Sequence, residues 1–123
     1  MDWDLAASPG NAKAPKYFTE ADNSLAQDWT KCAGRLWLNP PFDRIGPWAE
    51  KCAANCPDRL IFFLVPAAVG SNWFRDYVAD IARVHFLNGR VPFDPLHPKW
   101  GYPKDCMLCI YGQKPGYDIW SWK

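Results

Sequence analysis

Apolar positions in this chain fall into two kinds of pattern. Short continuous runs occur at Leu36-Trp37-Leu38, at residues 60–65, at residues 84–87 and at residues 106–111. Runs this short, bounded by proline, glycine or charge, predict buried strands. The run at 60–65, stopped by Pro66, is the clearest of them. Between the runs, Ile45, Trp48, Ala49, Cys52, Ala53 and Cys56 recur at helical period. They predict an amphipathic helix over residues 46–55, with Pro47 in its first turn and Pro57 beyond its end. Trp73, Phe74, Tyr77, Val78, Ile81 and Ala82 repeat the pattern and predict a second helix, entered through Gly70-Ser71. Trp3-Asp4-Leu5-Ala6 reads as the end of a first strand and residues 7–14 as a loop. Residues 19–27 suit a helical turn, 91–103 a proline-rich loop and 118–122 a short edge segment. Strands alternating with helices predict a three-layer α/β fold with a mostly parallel sheet, spanning residues 1–123 as one domain. The loop after residue 65 is then expected beside the end of the 35–38 strand.

That strand end is the most unusual point in the chain, because it runs into Asn39-Pro40-Pro41-Phe42. Consecutive prolines remove backbone donors and fix φ, so a ladder must stop there. What remains is a rigid corner presenting an amide side chain, carbonyls and an aromatic ring. In open α/β sheets, ligands sit at the carboxyl ends of strands. The chemistry on offer suits a planar exocyclic amine such as that of adenine. Asn39 and Pro40 supply oxygens that accept hydrogen bonds from the amine, and Phe42 supplies a face for stacking, a contact contributing about 1–3 kcal/mol per base.

Composition adds bounds. Hydrophobic residues make up 49% and charged residues 22%, the balance of an ordinary globular protein. There is no apolar run long enough to span a bilayer and no charged-then-apolar leader, so a cytoplasmic protein without a membrane partner is expected. The net charge of +1 argues against binding nucleic acid by bulk charge and leaves only a local basic patch; Lys13, Lys16, Arg44, Arg75, Arg83, Arg90, Lys99 and Lys104 are spread along the sequence, and most of them are expected on solvated surface. Cys106 and Cys109 lie in a strand-like run that would point them to opposite faces, and His85 and His97 are isolated, so no metal is expected. Trp37, beside the corner, and Trp48, just after it, are the tryptophans best placed to line a pocket.

The corner and its surroundings resemble a known family. Asn39-Pro40-Pro41-Phe42 matches the (Asp/Asn/Ser)-Pro-Pro-(Tyr/Phe) signature of S-adenosylmethionine-dependent amino-methyltransferases. Several further segments are similar to phage-type Dam-like DNA adenine-N6 methyltransferases. They are Asp4-Leu5-Ala6-Ala7-Ser8, Asn11-Ala12-Lys13, Tyr17 through Leu25, Ile45-Gly46-Pro47-Trp48 and Gly89-Arg90-Val91-Pro92-Phe93. The resemblance implies a Rossmann-like methyltransferase fold that moves a methyl group from S-adenosylmethionine to adenine N6 in DNA. Asn39, Pro40, Pro41 and Phe42 would be catalytic. Asp4, Ala6, Phe18 and Asp22 would contact the donor, and Trp48, Arg44 and Arg90 the DNA. A helix N-cap is the alternative role for Asp22. A glycine-rich G-x-G-x-x-G turn is absent. Relatives usually carry a further segment with a Thr-Pro element before the position of Asp4, so a compact or truncated N-terminus with weakened donor binding is expected; with no room for a separate target-recognition domain, a short or loose sequence preference is expected as well. Other readings stay open: the same chemistry on RNA adenine, cytosine N4 or a protein glutamine, or a non-catalytic module that binds nucleic acid or cofactor.

Overall fold

The computed structural model describes residues 1–8, 10–89, 91 and 104–121. The strands are β1 (Trp3–Asp4), β2 (Lys16–Tyr17), β3 (Arg35–Leu38), β4 (Leu60–Pro66), β5 (Arg83–Asn88), β6 (Cys106–Tyr111) and β7 (Gly116–Ser121). Helix α1 (Gly46–Ala54) joins β3 to β4, and α2 (Asn72–Tyr77) lies between β4 and β5. Three 3-10 turns, Glu20–Asp22, Ser24–Ala26 and Trp29–Lys31, fill the connection from β2 to β3.

The strands form one sheet in the order β2-β1-β3-β4-β6-β5-β7. Among the described strands only β6 runs against its neighbours, pairing antiparallel with both β4 and β5. The mostly parallel sheet follows from the alternation of strands and helices, since parallel neighbours need a crossover and α1 supplies one. Register sorts the side chains. Leu36 pairs with Ile61, Leu38 with Phe63, Phe63 with Cys109 and Val84 with Cys109, and all are sealed from solvent. They share one core with Ala49 and Cys52 of α1 and Phe74 of α2. The alternate positions Trp37, Phe62, Leu108 and His85 are only half-buried. Cys106 and Cys109 stand on opposite faces of β6, as a period of two requires. Burial pushes the Cys52 and Cys109 thiols up, so both stay protonated inside the core.

Three elements differ from the pattern-based expectation. The second helix ends at Tyr77 rather than continuing toward Ala82: Val78 already leaves the helical basin at φ −123°, and Asp80 follows at φ +62°. The last strand begins at Gly116, ahead of the expected 118. Strand β2 was not anticipated: it is exposed and two residues long, and only its pairing with β1 defines it. At the other end of the first connection, Gly34 adopts φ +91°, and a Cβ there would lie 2.3 Å from Asp2 Oδ2. That oxygen accepts the Arg35 N–H at 2.7 Å, which ties the entry of β3 to the residue before β1.

Candidate active site at the ends of β1 and β3

Strands β1 and β3 are parallel neighbours, with Asp4 opposite Trp37 and the Leu5 N–H donating to the Trp37 carbonyl at 2.8 Å. Their carboxyl ends therefore emerge together. A cavity of about 1100 Å³ opens there, lined from β1 and its loop by Asp4, Ala6 and Lys13, and from β3 and its corner by Trp37, Asn39, Pro40 and Pro41. Trp48 of α1 closes one side, and Thr19, Glu20, Ala21, Asn23 and Ser24 form a further wall.

The two strand ends use their polar groups differently. Asp4 is only 2% exposed, and both of its carboxylate oxygens are occupied. The Ala6 N–H donates to Oδ1 at 3.2 Å and the Lys13 N–H to Oδ2 at 2.9 Å, so one side chain pins the loop that walls the cavity. Asn39 Oδ1 is buried and accepts no hydrogen bond. Such an atom costs about 1–3 kcal/mol, and in a native structure it calls for an explanation. Asn39 is also one of the residues that line the cavity.

The wall at residues 19–27 is built by local hydrogen bonds. Asp22 Oδ2 accepts the Thr19 N–H at 2.8 Å and the Thr19 hydroxyl at 3.1 Å, so this carboxylate caps the first 3-10 turn, is exposed and does not line the cavity. The Thr19-x-x-Asp22 spacing was the signal for that role, and it leaves Glu20, Asn23 and Ser24, which pattern reading did not single out, on the cavity side. Phe18 sits behind the lining. Its ring lies 5.0 Å from that of Trp3, its N–H donates to the Asp4 carbonyl at 3.0 Å, and its carbonyl accepts the Ala7 N–H at 2.8 Å. Phe42 is half-buried and packs against the core, and Arg44 is exposed; neither lines the cavity. Arg90 lies outside the described residues. The structure thus brings Asp4, Ala6, Asn39, Pro40, Pro41 and Trp48 around one space and places Phe18, Asp22, Phe42 and Arg44 outside its lining. Strand β4, the parallel neighbour of β3, runs on to Pro66, beyond the Leu38–Phe63 pair, so its carboxyl end emerges at the same sheet edge as the corner; the residues that follow it are not among those lining the cavity.

A second cavity of about 470 Å³ lies across β5, β6 and β7, lined by His85, Leu108, Asp118, Ile119 and Trp120. Hydrogen bonds from Arg83 and His85 hold the Asp118 carboxyl below the usual range, the Arg83 bond first. Among the described residues, no group of three His, Cys, Asp or Glu side chains is placed to hold a metal, and no helix is long and apolar enough to cross a membrane.

A family model described as DNA N-6-adenine-methyltransferase (Dam) matches residues 1–107. A DNA N-6-adenine-methyltransferase of Escherichia phage T1 is 28% identical over 94 residues, covering 76% of this chain and 39% of that protein. One of Haemophilus phage HP1 is 26% identical over 97 residues, covering 76% of this chain and 54% of that protein. The chain therefore spans about two-fifths to one-half of the length of these curated relatives. No solved structure matches.

Proposed function

We propose a function from one premise: the chain belongs to the DNA N-6-adenine-methyltransferase (Dam) family. On our reading it transfers a methyl group from S-adenosylmethionine to the N6 amine of adenine in DNA. The observation that carries this reading is the buried, unpartnered Asn39 Oδ1 at the edge of the large cavity. Pro40 and Pro41 line the same space, and their rings hold the corner rigid.

The donor supplies an electrophilic methyl group on a sulfonium. The adenine amine is a weak nucleophile because its lone pair is delocalised into the ring. Hydrogen bonds from its two N–H groups to Asn39 Oδ1 and the Pro40 carbonyl favour a tetrahedral nitrogen with the lone pair free. Nitrogen then bonds the methyl carbon, the carbon–sulfur bond breaks with its electron pair on sulfur, and the surplus amine proton leaves to water. Asn39 orients and accepts throughout and takes no proton. Holding the reactants in line can supply roughly 7–11 kcal/mol of the barrier.

The remaining roles follow from placement. Asp4 has lone pairs beyond those used by Ala6 and Lys13, enough to accept from donor ribose hydroxyls or its ammonium group. Ala6 lines the donor side, while Phe18 and Asp22 support that side from behind it. Trp48, on the cavity wall, is the ring placed to stack the extruded base, and Phe42, packed against the core, backs the corner. Arg44 and Arg90 meet DNA phosphates, contacts that position without reading sequence. The strand order, with β6 reversed, supports a three-layer, Rossmann-like methyltransferase architecture. A phage-type enzyme of this kind works in the host cytoplasm.

The test is incubation with methyl-labelled donor and unmethylated DNA, followed by nucleoside analysis. N6-methyladenine forms with the wild-type chain and is lost with Asn39→Ala while donor binding persists. Proven donor binding without transfer to DNA, or transfer to RNA adenine or protein glutamine instead, overturns the reading.

A further inference from the structure

The wall formed by residues 19–27 is built on two 3-10 turns of three residues each. Elements this short do not hold themselves in place. The structure anchors them to α1 through the side chain of Lys51. Its ammonium donates to the carbonyl of Leu25 at 2.8 Å and to that of Gln27, and it lies 5.1 Å from the centre of the Trp29 ring. Trp29 carries the link onward. Its indole N–H donates to the Ser24 carbonyl at 3.1 Å and the Ser24 hydroxyl at 3.2 Å, and its ring stacks on Trp48 with centroids 6.4 Å apart.

Ser24 and Trp48 both line the cavity, whereas Lys51 and Trp29 do not. Trp48 and Lys51 are three residues apart on α1, so they lie on one side of that helix. The same helix follows the Asn39 corner directly. A single element therefore holds the corner at one end and grips the opposite wall through Lys51.

We propose that Lys51 is a positioning residue that fixes the spacing between the 19–27 wall and the Asn39 corner. By doing so it sets affinity for the adenosyl group of the donor without touching it. The proposal rests on the methyltransferase reading above. Donor affinity falls when the wall loosens, because the free protein must then be ordered on binding. Turnover at saturating donor, which depends on the corner, is largely retained.

Two readouts test this, with Lys51→Met as the main variant and Lys51→Arg as the conservative one. The first is amide hydrogen exchange of the ligand-free protein. The N–H groups of Ala26 and Gln27, bonded at 2.9 and 3.0 Å to the carbonyls of Asn23 and Ser24, exchange about tenfold faster in Lys51→Met while β3 and β4 amides are unchanged. The second is calorimetric binding of S-adenosylhomocysteine, which weakens about tenfold in Lys51→Met and recovers toward wild type in Lys51→Arg. In a transfer assay the change appears in donor KM, not kcat. Where Lys51→Met does not fold, Trp29→Phe, which keeps a ring and loses the bonds to Ser24, gives a smaller change of the same direction. Unchanged exchange at Ala26 and Gln27, or undiminished affinity in Lys51→Met, overturns the proposal. A wild-type chain that binds no S-adenosylhomocysteine refutes the methyltransferase reading and the donor role of Lys51 with it; exchange still reports separately whether Lys51 orders the wall.

Discussion

Asp4 and Asn39 stand at the carboxyl ends of adjacent parallel strands, and both face the same cavity. Asp4 has both carboxylate oxygens bonded to backbone N–H groups of the loop it organises. Asn39 has its side-chain oxygen buried with no donor in reach. One group is bonded within the fold, with lone pairs that our reading gives to the donor; the other has no protein partner, and our reading gives it to the substrate amine. The contrast separates two roles that a list of polar lining residues would merge. Burial without a partner does not by itself mark a site, since Arg59 Nε is equally unpaired and does not line the cavity; Asn39 is the unpaired group whose residue does.

The contrast makes opposite predictions for the two residues. Asn39→Ala removes an acceptor needed only with substrate bound, so methyl transfer falls by about 10²–10³-fold, the usual cost of deleting one preorganised polar contact to a reacting group. Thermal stability of the same variant does not fall, because no protein hydrogen bond is lost; a methylation rate beside a melting curve checks both halves. Asp4→Ala behaves the other way. It strands the amides of Ala6 and Lys13, and denaturant unfolding should show a loss of about 1–3 kcal/mol, with donor affinity falling as the loop loosens. If Asn39→Ala unfolds the chain while Asp4→Ala leaves it intact, the assignment of roles is reversed.

Away from the cavity the comparison predicts separability. Tyr111 is buried, its hydroxyl donates to the Tyr77 carbonyl at 2.7 Å, and burial pushes its phenol up so that it stays protonated. Tyr111→Phe should cost about 0.5–1.5 kcal/mol of stability and leave donor binding unchanged. The smallest effect belongs to Asp118. Hydrogen bonds from Arg83 and then His85 hold its carboxyl below the usual range. Its stabilisation of the β5–β7 pair is complete above the unfolded aspartate value of about 3.9 and fades as pH falls through the lower folded value. Asp118→Asn should flatten the acid limb of the stability profile slightly and change nothing at neutral pH in the methylation assay.

Much of this was legible in the sequence where local chemistry decides the outcome. Strand β3 and its corner were readable because an apolar run meets two prolines, and no neighbour is needed to know that the ladder stops there. Helix α1 was readable from its period. Helix α2 was overextended because the spacing through Ala82 is helical, while the dihedrals of Val78 and Asp80 that break it are set by the turn into β5. The direction of β6 and the existence of β2 depend on pairing partners, which no local pattern contains. Within the site, Asn39 and Asp4 could be named from their positions at strand ends. The cavity side of the 3-10 wall had no periodicity to betray it, and the clamp from Lys51 joins segments more than twenty residues apart. The seat of Phe42 against the core depends in the same way on how the turn into α1 folds back.

The central claim is that Asn39 Oδ1 awaits the amine of a nucleobase. A crystal structure of the chain with an unreactive donor analogue and an adenine-containing oligonucleotide measures this directly. The account predicts adenine N6 at about 2.7–3.2 Å from Asn39 Oδ1. It is contradicted if that oxygen is bonded to a protein N–H, with the base amine held elsewhere.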